Sequence, residues 1–193
     1  MAIKIHIYLF LMMAYMYAVG NLDTFLIYYI FVIMHEIGHI LMALVLKVDV
    51  LEMTLLPVGI NAKYEYKTSK LKELFISLAG PFASFLFYKV LNNAEYSFFN
   101  IIICFTNLMP IMPFDGGKII KNLSIILLGE KNGKQIAKKI SKIFLIVLIF
   151  SAFIMTYYKN YYFLVFSFYI YCISREELKK ENFYGAIDYL QKD

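Results

Sequence analysis

The sequence predicts an all-α polytopic membrane protein with about six transmembrane helices and a re-entrant β-hairpin or loop between the second and the third. Three observations predict it. Of the 193 residues, 61% are hydrophobic, and the mean hydropathy is +0.66, well above the apolar share of ordinary soluble domains. The apolar residues gather into long runs separated by short segments that carry the lysines, as spans and loops do. Between Lys47 and Lys72 the pattern changes to a β-branched stretch broken by Pro57 and Gly59, which is too short and too interrupted to cross as a helix.

The first apolar run covers about residues 5–20 behind Lys4. With its basic start and small residues near Gly20 it also has the form of a secretory signal, but a second run follows after a few residues, and it is taken as the first span. The second, 24–46, is long enough to cross at about 1.5 Å per residue. In the 47–70 segment, Asn61 to Lys67 alternates with period two. Such a hairpin must pack on protein or line a wet cavity if it enters the membrane, and its edge suits an extended peptide; a simple surface hairpin fits the residues equally well. The third run, 71–91, contains Ser77-Leu-Ala-Gly-Pro81, where small residues allow close helix approach and Pro81 kinks the helix. The fourth, 97–113, ends in Asn107-Leu-Met-Pro-Ile-Met-Pro-Phe-Asp-Gly-Gly117, where the prolines and glycines unwind the chain.

A basic stretch follows from Lys118 to Lys142 with seven lysines; it reads as an interfacial helix and connector, open to anionic lipid. The fifth and sixth runs, 143–158 and 161–173, are short and rich in Phe and Tyr, residues that belong against lipid or at its interface. These spans make one membrane domain over 1–175, and 176–193 forms a polar cytoplasmic tail with amphipathic spacing. The net charge of +5 is not a nucleic-acid signal, because the lysines sit at the ends of apolar runs. Their asymmetry puts both termini in the cytoplasm. Cys104 and Cys172 lie in apolar runs and offer neither a disulfide framework nor a thiolate metal site.

The chemistry concentrates in His35-Glu-Ile-Gly-His39, in a chain with one other histidine, His6. Residues four apart share a helix face, so His35 and His39 can present two imidazoles to one ion with Glu36 beside them. Two imidazoles and a carboxylate are costly inside an apolar run unless they pair, bind or react. Catalytic zinc takes three protein ligands and leaves a position for water. Asp115, on an unwound turn beside Gly116 and Gly117, is the best third ligand for one Zn2+ ion. Glu36 is then the base that takes a proton from water and passes it to the leaving amine. Asn107 either donates a hydrogen bond to the developing oxyanion or satisfies backbone groups freed near Pro110.

These three motifs, His35-Glu-Ile-Gly-His39, Ser77-Leu-Ala-Gly-Pro81 and Asn107-x-x-Pro110 with Asp115-Gly116, resemble the site-2 protease family of intramembrane zinc metalloproteases. With Leu55-Leu-Pro-Val-Gly59 after the first motif and no inserted soluble domain, the chain most resembles the bacterial stage IV sporulation protease branch. The resemblance covers residues 2–173. It implies His35, His39 and Asp115 as zinc ligands, Glu36 as catalytic base, and Asn107 and Pro110 as residues that shape the site. It further implies a membrane-associated sporulation sigma-factor precursor as substrate, inhibitory membrane proteins as partners, and the mother-cell membrane around the forespore as location. Many members continue into a nucleotide-sensing CBS domain, which a chain of this length does not hold, so control by ATP through it is not expected. The alternatives are another short site-2 protease, acting on anti-sigma factors or signal-peptide remnants, and a non-catalytic membrane metal-binding or transport protein.

Overall fold

The computed structural model describes residues 2–5, 7–56, 59–64, 68–157, 159, 164, 167–176 and 179. The chain divides into two compact units, Met1–Leu108 and Met109–Asp193. In order, the first contains β1 (Ala2–Ile5), α1 (Ile7–Ala18), α2 (Leu22–Val45), β2 (Val50–Leu56), β3 (Gly59–Tyr64), α3 (Lys70–Val90) and α4 (Ala94–Asn107).

Helix α2 is built inside out relative to a helix in water. Phe25, Tyr29, Val32, Glu36, His39 and Ala43 recur at three- and four-residue spacing on its buried face, while Leu26, Ile30, Ile33, Ile37, Leu41 and Leu44 are exposed. Polar ligands inside and branched aliphatics outside are what a bilayer selects, since lipid replaces water around the outer face. Among the described residues, α2 and α3 are the two helices long and apolar enough to cross a membrane.

One cap starts α3 and one contact ties its first turn to the end of α2. The Ser69 hydroxyl accepts from the Lys72 backbone N–H, and Lys72 Nζ donates to the Leu46 carbonyl at 2.8 Å, placing a cation at the C-terminal end of α2 where the helix dipole favours one. Pro81 lies inside α3, as its motif predicts. Helix α4 starts at Asn93, whose side chain accepts from the N–H groups of Glu95 and Tyr96. Phe31, Val32 and Ile103, with Tyr28, Tyr96 and Phe99 against them, form the core that joins α2 to α4.

The predicted hairpin is present as β2 and β3, antiparallel from Val50↔Tyr64 to Leu56↔Gly59. The all-α expectation is corrected by a third strand: β1 pairs parallel with β2, giving a sheet in the order β1-β2-β3. Residues 2–5 therefore precede the first helix as sheet, tied to β2 also by Lys4 to Glu52 at 3.0 Å.

The second unit begins with a turn through Pro110 and Pro113, then α5 (Asp115–Leu128) and α6 (Glu130–Tyr157), separated by Gly129. Gly129 takes φ +78°, a left-handed conformation that glycine adopts without penalty. Two expectations change here. The basic stretch 118–142 is not a connector: its first part is α5 and the rest is continuous with the fifth apolar run in α6. Lys, Gln and Ala are good helix formers, and Glu130 pairs with Lys134 across one turn at 2.7 Å, so nothing stops the helix before the apolar segment. Asp115 is likewise not on an unwound turn but is the first residue of α5. Ile111, Leu145, Leu148 and Ile170 form this unit's core. Residues 167–176 are helical; most of the remaining sixth run and the tail lie outside the described residues.

Candidate metal centre

His35 and His39 are one turn apart on the buried face of α2, 2% and 4% exposed, and their Nε2 atoms stand 3.2 Å apart. Two nitrogens each about 2.05 Å from one ion and subtending a tetrahedral angle are about 3.3 Å apart. The spacing is thus that of two ligands of one zinc ion.

Both Nδ1 atoms are held by α3. That of His39 is 2.6 Å from the Ile76 carbonyl oxygen. A carbonyl can only accept, so this nitrogen carries the proton and the Nε2 lone pair points the other way, toward an ion. The Nδ1 of His35 is 2.9 Å from Ser84 Oγ, and Ser84 is fully buried.

The helices meet closely enough for these contacts because the facing residues are small. A Cβ at Gly38, inside the His-Glu-Ile-Gly-His motif, would lie 2.7 Å from Ala83 Cβ and 2.8 Å from the Ala79 oxygen. A Cβ at Gly80 would collide with the Nε2 and Cε1 atoms of His39 and lie 2.6 Å from Nε2 of His35, so α3 passes directly against the two imidazoles. The donor set and its spacing fit zinc.

Glu36, the adjacent carboxylate, is buried as well. Asn107 closes α4; its Nδ2 donates to the Ile103 carbonyl at 3.0 Å, a bond within its own helix and not to a group freed at Pro110. In the second unit Asp115 is 3% exposed, and Lys118 Nζ lies 3.2 Å from its Oδ1. The turn before Asp115 is fixed by Met112 N–H donating to Ser141 Oγ at 3.1 Å and by Gly117, where a Cβ would meet the Ile111 carbonyl carbon at 2.7 Å.

Of the sequence-predicted residues, His35 and His39 are brought together with Glu36 beside them. Ile76, Gly80 and Ser84 were missed. Gly80 lies in the segment whose small residues predict a close helix approach, but nothing local in the sequence marks Ile76 or Ser84.

Residues 90–152 match the sequence model of peptidase family M50. The chain is 30% identical over 132 residues to stage IV sporulation protein FB of Bacillus subtilis, an alignment covering 61% of this chain and 46% of that protein. It is 31% identical over 142 residues to a zinc metalloprotease of Methanocaldococcus jannaschii, covering 65% and 42%. It thus spans less than half the length of these relatives. The solved structure of the site-2 protease from Methanocaldococcus jannaschii superposes with a TM-score of 0.71 at 25% identity, covering 91% of this chain and 89% of that one. With a matching family region, a matching fold and a histidine pair spaced for zinc, the chain is a homologue of the site-2 proteases of peptidase family M50.

Proposed function

We propose that the protein is a zinc-dependent intramembrane endopeptidase that hydrolyses a peptide bond in a membrane-associated protein. The observation that carries this reading is the Nε2 pair at 3.2 Å, backed on both Nδ1 sides. His35 and His39 are two ligands and Asp115 is the third. A zinc ion held by these residues would supply Lewis acidity for activating water and polarising the scissile carbonyl. Glu36 accepts the proton of the attacking water and returns it to the leaving amine, from a buried position on α2. Asn107 uses one amide hydrogen on Ile103, and a second remains for the developing oxyanion. Lys118 Nζ, 3.2 Å from Asp115 Oδ1, is a counter-charge beside the carboxylate that would ligate.

The chain crosses the membrane about six times with both termini cytoplasmic, and the β2–β3 hairpin is re-entrant. The apolar outer face of α6, with Ile143, Ile146, Val147, Phe150 and Phe153 exposed, supports a further span beyond α2 and α3. The substrate is a sporulation sigma-factor precursor, with inhibitory membrane proteins as regulators in the mother-cell membrane around the forespore. Similarity to stage IV sporulation protein FB supports this finer assignment.

Co-expression of the protein or its Glu36→Gln variant with a tagged sigma-factor precursor tests both levels. Shortening of the precursor by wild type alone is the expected result. Equal shortening by Glu36→Gln would overturn the mechanism. Absence of shortening by wild type, with another membrane-tethered protein cleaved, would move the substrate to anti-sigma factors or signal-peptide remnants.

A further inference from the structure

Helix α3 contributes no metal ligand to this account, yet three of its residues spaced by four, Ile76, Gly80 and Ser84, all face the histidine pair. Each does something different. Ile76 offers a carbonyl to His39 Nδ1. Gly80 offers nothing, and that is its contribution, because any Cβ would collide with the Nε2 atoms of both histidines. Ser84 offers a hydroxyl to His35 Nδ1 at 2.9 Å from a site without solvent access.

We propose that α3 is the orienting wall of the metal centre, with Ser84 the positioning residue for His35 and Gly80 the residue whose missing side chain lets α3 close on both imidazoles. This rests on the metalloprotease reading and deepens it. With Nδ1–H of His35 donating to Ser84 Oγ, the lone pair of Nε2 is fixed toward the ion and the ring cannot flip about its Cβ–Cγ bond without breaking that bond. His39 is held in the same sense by a backbone atom that no side-chain substitution removes. The two histidines therefore differ: the orientation of His35 depends on one replaceable hydroxyl, and that of His39 does not.

Loss of such an outer partner typically weakens metal binding about 10–100-fold. The control is Ser77→Ala on the same helix, where a buried hydroxyl bonds only within α3, to the Glu73 carbonyl at 2.8 Å, and touches neither histidine in that contact.

The test uses the full chain purified in detergent, loaded with zinc, with the rate of zinc loss to a chromogenic chelator as readout. The cobalt-substituted protein's visible absorption reports ligand geometry independently. Ser84→Ala should release zinc about 10–100-fold faster and alter the cobalt spectrum, Ser84→Thr should restore both toward wild type, and Ser77→Ala should change neither. Gly80→Ala, which removes no hydrogen bond, should fail to hold zinc while eluting as wild type does on size exclusion. Wild-type zinc retention in either Ser84→Ala or Gly80→Ala would overturn the proposal while leaving the metalloprotease reading intact. If wild type holds no zinc that His35→Ala removes, it is the metalloprotease reading itself that fails, and the role of α3 with it.

Discussion

Replacing Gly38 by alanine tests how tightly the α2–α3 crossing constrains the metal centre. The added Cβ would lie 2.7 Å from Ala83 Cβ and 2.8 Å from the Ala79 oxygen, and it needs about 0.7 Å more to reach ordinary contact near 3.4 Å. None of these neighbours is the tip of a flexible side chain, so the helices must separate. A separation of that size would stretch the 2.6 Å contact of His39 Nδ1 with the Ile76 oxygen to about 3.3 Å, past the usual range for N–H···O. Overpacking of a close contact costs about 1–3 kcal/mol, or about 2–4 °C in melting temperature for each kcal/mol in a chain of this size. Gly38→Ala should therefore melt lower in detergent and lose zinc to a chelator faster than wild type. A variant that matches wild type in both would refute the argument that small residues at this crossing hold α3 against the histidines.

Three further outcomes follow from single contacts. Ser141→Ala leaves the buried Met112 N–H without the hydroxyl that accepts from it, which should destabilise the chain by about 1–3 kcal/mol, read by thermal unfolding; an unchanged melting point would mean the turn before Asp115 is held by other contacts. Asn93→Ala removes an N-cap that accepts from two backbone N–H groups and should cost about 1 kcal/mol with zinc content unchanged, since the cap lies at the end of α4 opposite Asn107. Asp115→Asn replaces an anionic ligand by a neutral amide and should lower zinc content and proteolysis together, whereas full zinc retention would remove Asp115 from the ligand set.

Much of the histidine pair was legible because its signal is local. His35 and His39 are placed by helical spacing alone, and the apolar run around them already required a helix. The hairpin could also be read, since period-two alternation and Pro57 and Gly59 are features of the segment itself. Strand β1 could not: four residues carry too little pattern, and their partner in β2 is about fifty positions away. The partners that Ile76 and Ser84 offer to the histidines were hidden for the same reason, because those contacts exist only where α3 crosses α2. That the second half of the basic stretch joins the fifth apolar run in one helix is not marked by its lysines; Lys131 to Lys142 contains no proline and continues a helical pattern into the apolar segment.

The most direct test of the central claim measures zinc content and proteolysis side by side for purified wild type and Glu36→Gln in liposomes with a membrane-tethered substrate. The account predicts one zinc ion per chain in both proteins and cleavage by wild type alone, because the substitution removes the base and leaves the ligands. Cleavage by Glu36→Gln at the wild-type rate, or cleavage by wild type that survives complete removal of zinc, would contradict it.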